Sequence, residues 1–292
     1  MNTLFMAKVL KVKYGSFIIV STITTDIIKE ACSIHKTNPP ASAALGRALT
    51  GLVLLSNAFS YTNVRRLVMQ FITSGEISEI TTETDMKQNY RAFIRNPNPN
   101  YEIKDKKLPV SDVVGGGLIY FYRYFENEIY QSISEIVSGE IAEDIAYFLY
   151  SSEQLPCAVS LGVLVDVDGS IKNSGGILLY ARPGTSESEL LDIEKRIKSI
   201  GPITKLIEEE SDEYDLISNI TKSWNFINQT YAYYKCWCNE SSIKDAISFI
   251  PKEEMLKEFE LNNKIEVVCR YCRKSYIFNK FQIVQIYENL SS

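Results

Sequence analysis

The chain opens on β-branched, alternating residues: VLKV, then Tyr14-Gly15-Ser16, then FIIVSTIT, a pattern that predicts a hairpin. A helix is expected from about Thr25. It ends before Pro39-Pro40, because proline disfavours helix in the residue preceding it. SAALGRALTGLVLLSNAF has too few polar residues for a wet face and predicts a mostly buried helix. From Arg65 the texture changes to strands: RRLVMQFIT, SEITTETD, YRAFIRN, GGLIYFYRYF and EIYQSISEI, separated by Ser-Gly, Asn-Pro and Gly segments. VSGEIAEDIAYFLYSSEQ predicts a helix with Ser138 as N-cap and Glu140 in the first turn, where the helix dipole favours a carboxylate. CAVSLGVLVDVDGSIKNSGGILLYAR predicts a hairpin whose Asp168-Gly169 turn suits positive φ.

The texture shifts again after Arg182-Pro183-Gly184. Ser186 and Glu189 form a capping box, Leu190, Ile193, Ile197 and Ile200 recur at helical spacing, and Gly201-Pro202 stops that helix. EEESDEYD follows, with acids at Glu208, Glu209, Glu210, Asp212, Glu213 and Asp215. It reads as a solvated face or loop, or as a weakly stable linker kept marginal by like-charge repulsion. From near Tyr231 the spacing predicts a helix over 242–249, a second with Pro251 at its first position, a strand over 264–268, a turn at Cys269–Cys272, a strand over 275–278, and a last helix capped by Asn279 and Gln282. No internal repeat or low-complexity tract is present.

Composition narrows the classes. With 292 residues, 45% apolar and 23% charged, the chain suits one large domain plus a smaller one. A net charge of −5 and a pI near 5.2 argue against a protein that coats nucleic acid along its length. No run of about 18 apolar residues suggests a membrane span, and the N-terminal apolar run is too short for a signal-peptide core. The expected compartment is the cytosol, where clustered cysteines are more often metal-binding or redox-active than permanently bridged.

Four of the six cysteines fall in two clusters, Cys236 and Cys238 in YKCWCNE, and Cys269 and Cys272 in VVCRYCRK. A C-x-x-C turn presents two sulfurs to one ion, and C-x-C does so when both side chains share one side of an extended segment. Two such pairs complete a four-thiolate zinc site, one Zn²⁺ per chain. A permanent structural zinc is the plainer role. Lys235, Arg270, Arg273 and Lys274 flank the sulfurs and favour thiolates. A disulfide across C-x-C closes a small, strained ring of the labile kind, and a segment this small would unfold on losing its metal. Four cysteines allow three pairings, of which the local one needs the least chain closure.

The other candidates are plainer. Cys32 and Cys157 fall in predicted core elements and read as small hydrophobes. His35 is the only histidine, which leaves no support for a multi-histidine metal site or a histidine-based triad. Gly115-Gly116-Gly117 precedes a strand, not a helix, and makes a poor phosphate loop. Asp166 and Asp168 read as turn residues, and the aromatics of YFYRYF as core and sheet surface. The main rival function is a zinc-ribbon nucleic-acid-binding protein, but residues 231–292 carry nine basic and eight acidic side chains, without the excess that phosphate contacts want. A disulfide-exchange enzyme would offer one exposed C-x-x-C with no second pair completing a metal site.

Taken in order, SAALGRAL (Ser42–Leu49), VSGEIAEDIAYFL (Val137–Leu149), AVSLGVLVDVDGS (Ala158–Ser170) and the terminal C-x-C plus C-x-x-C resemble the redox-regulated holdase chaperones, the 33-kilodalton heat-shock proteins. Trp237, Cys32 and Cys157 are mild departures. The resemblance covers nearly the whole chain and implies an α+β protein. A client-binding α/β body with mainly antiparallel sheets and packed helices spans 1–182, a helical linker 183–230, and a zinc-binding redox-switch module 231–292. It implies no enzyme activity, no ATP, no nucleic acid and no membrane. Oxidation is expected to form Cys236–Cys238 and Cys269–Cys272, expel the zinc, unfold module and linker, and yield a homodimer that binds unfolding client proteins in the cytoplasm.

Overall fold

The computed structural model describes residues 4–102, 107–209 and 212–288. Its first hairpin pairs β1 (Met6–Tyr14) with β2 (Phe17–Ile23) across Gly15, which takes φ 53°. Helices α1 (Thr25–His35) and α2 (Pro39–Ala58) follow. Asn38 caps α2 by accepting from the Ala41 N–H, and both prolines sit in the first turn, where a missing N–H costs nothing. Next come β3 (Arg66–Thr73), β4 (Glu79–Thr84), β5 (Asn89–Ile94), the short α3 (Val110–Val114), β6 (Gly117–Tyr124) and β7 (Ile129–Ile136). Helix α4 (Ala142–Glu153) leads into the hairpin of β8 (Cys157–Val165) and β9 (Ile171–Ala181). Helices α5 (Glu187–Ile200), α6 (Ile203–Glu209) and α7 (Glu213–Ser218) precede β10 (Asn225–Tyr234).

These ten strands form one sheet in the order β7-β6-β3-β4-β5-β10-β1-β2-β9-β8. Every neighbouring pair is antiparallel except β5 and β10, which meet in parallel at Asn89–Tyr233 and Tyr90–Tyr234. The α+β expectation, mainly antiparallel with packed helices, describes this architecture. The chain divides into two compact units, Met1–Lys235 and Cys236–Ser292. Strand β10 thus carries Tyr231–Tyr234, expected in the C-terminal module, into the sheet of the first unit, because the edge of β1 pairs with it from Met6 to Lys13.

One face of the sheet is built for α1 and α2. Ala7 and Val9 of β1, Ile18 and Val20 of β2 and Leu178 of β9 pack in one core with Leu45, Leu49, Leu52 and Val53 of α2. The opposite face of the same strands carries Leu10, Val12, Phe17, Ile19, Ile177 and Leu179. It is covered by Ile193 of α5, by Ile203, Leu206 and Ile207 of α6, and by Leu216 and Ile217 of α7. Burial on both faces explains why FIIV and ILLYA run apolar without alternating. Gly162 lets α6 approach: a Cβ there would stand 2.5 Å from Ile203 and Thr204.

Polar contacts pin α7 to the sheet. Asp212 caps it by accepting from Tyr214 and Asp215. Glu213, from the acidic run, is buried: its carboxylate lies 2.8 Å from the Lys8 Nζ and accepts from the Ile23 N–H at 3.3 Å. The Ser21 hydroxyl donates to the Glu213 carbonyl at 3.2 Å. Glu208 is exposed and ion-paired with Lys172; Glu210 lies outside the described residues. The run is therefore neither uniformly solvated nor unpaired.

Ser138 does not cap α4, which starts at Ala142. The buried Asp144 carboxylate instead gathers the N–H groups of Val137, Ser138, Gly139 and Ile141, and this claim on the loop displaces the helix start. Phe121 enters the core while Tyr120, Tyr122 and Tyr124 stack along the outer face of β6.

The second unit holds α8 (Glu240–Ser248), α9 (Lys252–Asn262), the antiparallel hairpin β11 (Ile265–Val268) and β12 (Ser275–Phe278), and α10 (Lys280–Glu288). Asn279 and Gln282 exchange reciprocal capping bonds of 3.0 Å, as expected. Its buried apolar set is small: Ile243, Ile247, Met255, Ile265, Phe278, Ile283 and Ile286, with Tyr271 and Tyr276.

Candidate metal centre

Cys236 and Cys238 lie in the irregular link between β10 and Asn239, which is extended and caps α8 by accepting from the Ser242 N–H at 2.9 Å. Cys269 and Cys272 occupy the tip of the β11/β12 hairpin. There the Cys269 N–H donates to the Lys274 carbonyl and the Arg273 N–H to the Cys269 carbonyl, both at 2.9 Å. Arg273 takes φ 59°, the left-handed step that closes this tight turn.

The fold brings all four predicted cysteines together. Their sulfurs lie within 4.8 Å of one another, with Cys236–Cys269 at 3.8 Å and Cys238–Cys272 at 3.4 Å. Four thiolates at about 2.3 Å around one tetrahedral zinc stand about 3.8 Å apart. The donor set and its spacing fit a metal ion of that kind, and the four cysteines can hold one.

Hydrogen bonds serve the sulfurs individually. Cys269 accepts from the backbone N–H groups of Tyr271 and Cys272, and Cys272 from that of Lys274. Cys238 accepts from the Tyr276 hydroxyl at 3.2 Å. In the metal-free thiols protons are shared unevenly. The hydrogen bond from Cys236 holds the Cys269 thiol well below its ordinary range, while burial pushes Cys272 up. The bond to Cys238 likewise raises the Tyr276 phenol. A bound cation would deprotonate the ligating thiols outright. Among the flanking cations, the Arg270 guanidinium donates to the Tyr271 hydroxyl at 3.0 Å, and the Lys274 ammonium sits 4.9 Å over the Tyr276 ring. Tyr276 was not among the residues singled out from sequence, because its β12 spacing marks only an inward-facing strand position.

The remaining candidates lie elsewhere. Cys32 is buried in the first core, and burial raises its thiol. Cys157 is half-buried on β8, with its thiol pushed up by burial to about 12, too high for a reactive cysteine. His35 bonds the Ala92 carbonyl through Nε2 at 2.8 Å. Asp168 accepts from the Ser170 N–H within its turn. Among the described residues no helix is long and apolar enough to cross a membrane.

Comparison with known proteins covers the same ground. The sequence matches the family described as Hsp33 protein over residues 10–279. It is 34% identical over 263 residues to the 33 kDa chaperonin of Aquifex aeolicus, covering 88% of this chain and 81% of that one. It is 34% identical over 282 residues to the 33 kDa chaperonin of Clostridium beijerinckii, covering 95% and 96%. Its structure resembles the crystal structure of the Thermotoga maritima 33 kDa chaperonin, a heat shock protein 33 homolog, with TM-score 0.86 and 28% identity over 98% of this chain and 99% of that one.

Proposed function

The chain belongs to the Hsp33 protein family, and from that premise we propose that it is a redox-regulated, ATP-independent holdase whose zinc-bound form is inactive. Membership supports a chaperone's role and, with it, the switch; the residues themselves support the metal site. One observation carries it: four sulfurs gathered within 4.8 Å in a unit whose own apolar core is small. In the reduced protein Cys236, Cys238, Cys269 and Cys272 hold one Zn²⁺, whose bonds supply folding energy that the small unit lacks.

The resemblance implies oxidants such as peroxide or hypochlorous acid; with hydrogen peroxide the electrons balance. In each pair one thiolate attacks a peroxide oxygen, becomes a sulfenic acid and releases hydroxide. The second thiolate attacks that sulfur and displaces another hydroxide. Both hydroxides take up protons and leave as water, so two electrons pass from the sulfurs to one peroxide. Each new bond withdraws two thiolates from the ion, and the second frees it.

Sulfur proximity does not choose the pairing, since the close contacts of 3.8 and 3.4 Å run between clusters, across 33 and 34 residues. The resemblance to the Hsp33 family implies the local bonds, Cys236–Cys238 and Cys269–Cys272. Such bonds let the clusters part, whereas a bond between clusters would replace the metal as a staple. Residues 183–230 then act as the releasable linker, their departure uncovers the apolar face of β1, β2 and β9, and unfolding clients bind a dimer of the oxidised protein in the cytoplasm.

The test compares reduced protein with protein treated with peroxide at elevated temperature. Expected are about one zinc per chain and little suppression of client aggregation before treatment, then released zinc, two local disulfides and strong suppression after it. Equal activity in both states with zinc retained would sink the proposal. Cys269→Ser should weaken zinc binding; tight stoichiometric zinc in that variant would refute the ligand set.

A further inference from the structure

At the C-terminal end of α2 the first unit holds a cavity of about 450 Å³, within the span of about 300–1,000 Å³ usual for small-molecule sites. Three pieces of chain wall it. Phe121 and Arg123 of β6 alternate onto one face of the strand, and Phe125 follows just beyond. Phe148 and Leu149 come from α4, which Glu153 ends. Phe59 and Tyr61 belong to the turn that leaves α2, closed by the Val64 N–H on the Tyr61 carbonyl at 3.3 Å and the Arg65 N–H on the Tyr124 carbonyl at 2.8 Å. Neighbouring rings hold one another, with centroids 5.5 Å apart for Phe121 and Phe148 and 6.2 Å for Phe59 and Tyr61.

The polar groups of this aromatic slot sit within one another's fields. The Arg123 guanidinium donates to the Glu153 carboxylate at 2.5 Å and to the Ser132 hydroxyl at 3.2 Å. Both charged side chains are largely buried, 20% and 30% exposed. The Tyr61 hydroxyl has no hydrogen-bond partner among the described residues, and burial raises its phenol although the Arg123 charge pulls the other way. A carboxylate would find Arg123 already paired, and an ammonium would find Glu153 already paired. Either ion would bring an uncompensated charge into a partly dry site. The spare capacity is that of donors, the Tyr61 O–H and the remaining guanidinium N–H groups.

We propose that this cavity binds a neutral, planar aromatic molecule carrying a hydrogen-bond-accepting carbonyl oxygen, held by ring contacts with Phe59, Phe121 and Phe148 and by a hydrogen bond from Tyr61. The site lies in the first unit and does not depend on the redox reading.

The experiment uses the full chain, reduced and zinc-loaded, with leucine and valine methyl groups labelled for NMR. Naphthyl methyl ketone is titrated beside three analogues substituted at the same ring position: ethylnaphthalene, which lacks the oxygen, naphthoate and naphthylmethylammonium. The ketone should bind saturably, tightest of the four, and shift the methyls of Leu55, Val64, Leu149 and Leu155 on the cavity wall. Tyr61→Phe should weaken the ketone about fivefold, about 1 kcal/mol at tenfold per 1.4 kcal/mol, and leave ethylnaphthalene unchanged. Equal losses for both would overturn the hydrogen bond from Tyr61. Glu153→Gln leaves Arg123 uncompensated and should strengthen naphthoate about tenfold with little effect on the ketone; no gain overturns the charge argument. Tighter binding of either ion to the wild type overturns the ligand class. Absence of saturable binding, or shifts confined to other methyls, overturns the site. Zinc release on oxidation tests the redox reading separately, so neither failure carries the other with it.

Discussion

Lys8→Met isolates what holds α7 on the sheet. Methionine preserves the apolar stem of the lysine but leaves the Glu213 carboxylate, 6% exposed, with only the 3.3 Å bond from the Ile23 N–H. Breaking a fully buried ion pair costs about 3–5 kcal/mol. Lys8 is 25% exposed, so water reaches the pair and the figure falls to about 2 kcal/mol. Detachment of α7 should then be about 30-fold more populated, at tenfold per 1.36 kcal/mol. Hydrogen exchange of the Glu213–Ser218 amides in the reduced, zinc-loaded protein reads this directly, with β3–β5 as the internal reference. The double variant Lys8→Met with Glu213→Leu should recover most of the protection, since an apolar pair leaves no stranded charge. An increase under threefold in the single variant, or a double variant no better than the single, would refute the reasoning. In the proposed mechanism the single variant also begins to suppress client aggregation at a lower temperature without oxidant.

Two further outcomes follow from named groups. Burial opposes the charge on Lys8, but the hydrogen bond and charge of Glu213 outweigh it and raise the lysine. A raised lysine contributes stability that is complete below its unfolded value of about 10.4 and is lost only as pH climbs through the folded value above that. Protection of α7, corrected for intrinsic exchange, should therefore stay flat from about pH 6 to about pH 9, and a fall inside that window would contradict the assignment. Asp144→Asn removes the charge that gathers four N–H groups at the start of α4. The cost is about 2 kcal/mol, a melting shift of about 4–8 °C in a thermal scan, and an unchanged melting temperature would count against that role.

Where the chain announces its own geometry, sequence suffices. Gly15, Asp168-Gly169, the Ser186/Glu189 box and the Asn279/Gln282 pair each carry a local mechanism, and the structure forms the turn or cap at each. The four-cysteine cluster is legible for the same reason, since C-x-C and C-x-x-C state the side-chain type and the local geometry at once. Long-range choices are not written locally. Asn225–Gln229 is exposed, Phe226 and Ile227 included, and becomes strand because β1 offers it an edge. Glu213 looks like one more solvated acid until Lys8, on the first strand, meets it. Ser138 has the right side chain for a cap but loses the position to Asp144, whose carboxylate satisfies more of the loop. The donor to Cys238 stands 38 residues away, beyond any spacing rule.

The two layers that bury β1, β2 and β9 differ in how they would come off. Helix α2 runs 20 residues, rich in alanine and leucine and buried along nearly all its length, so it is bound into the core by its own bulk. Helices α6 and α7 have seven and six residues. Helices shorter than about 12–15 residues are marginal in water on their own, and their helicity must come from docking. For these two, docking and folding are one equilibrium: once Glu213 and Leu216 leave the sheet, nothing keeps the segment helical, and a half-released state has little to stabilise it. The Ser16 hydroxyl donates to Glu189 at 2.8 Å and Ile193 packs on the sheet at the start of the segment, so release is favoured from its C-terminal side, next to β10. A sheet face with Leu10, Phe17, Ile19 and Leu179 would then lie open while the α2 face stays packed. A chaperone surface needs both properties, apolar area that appears at once and a scaffold that does not collapse when it does.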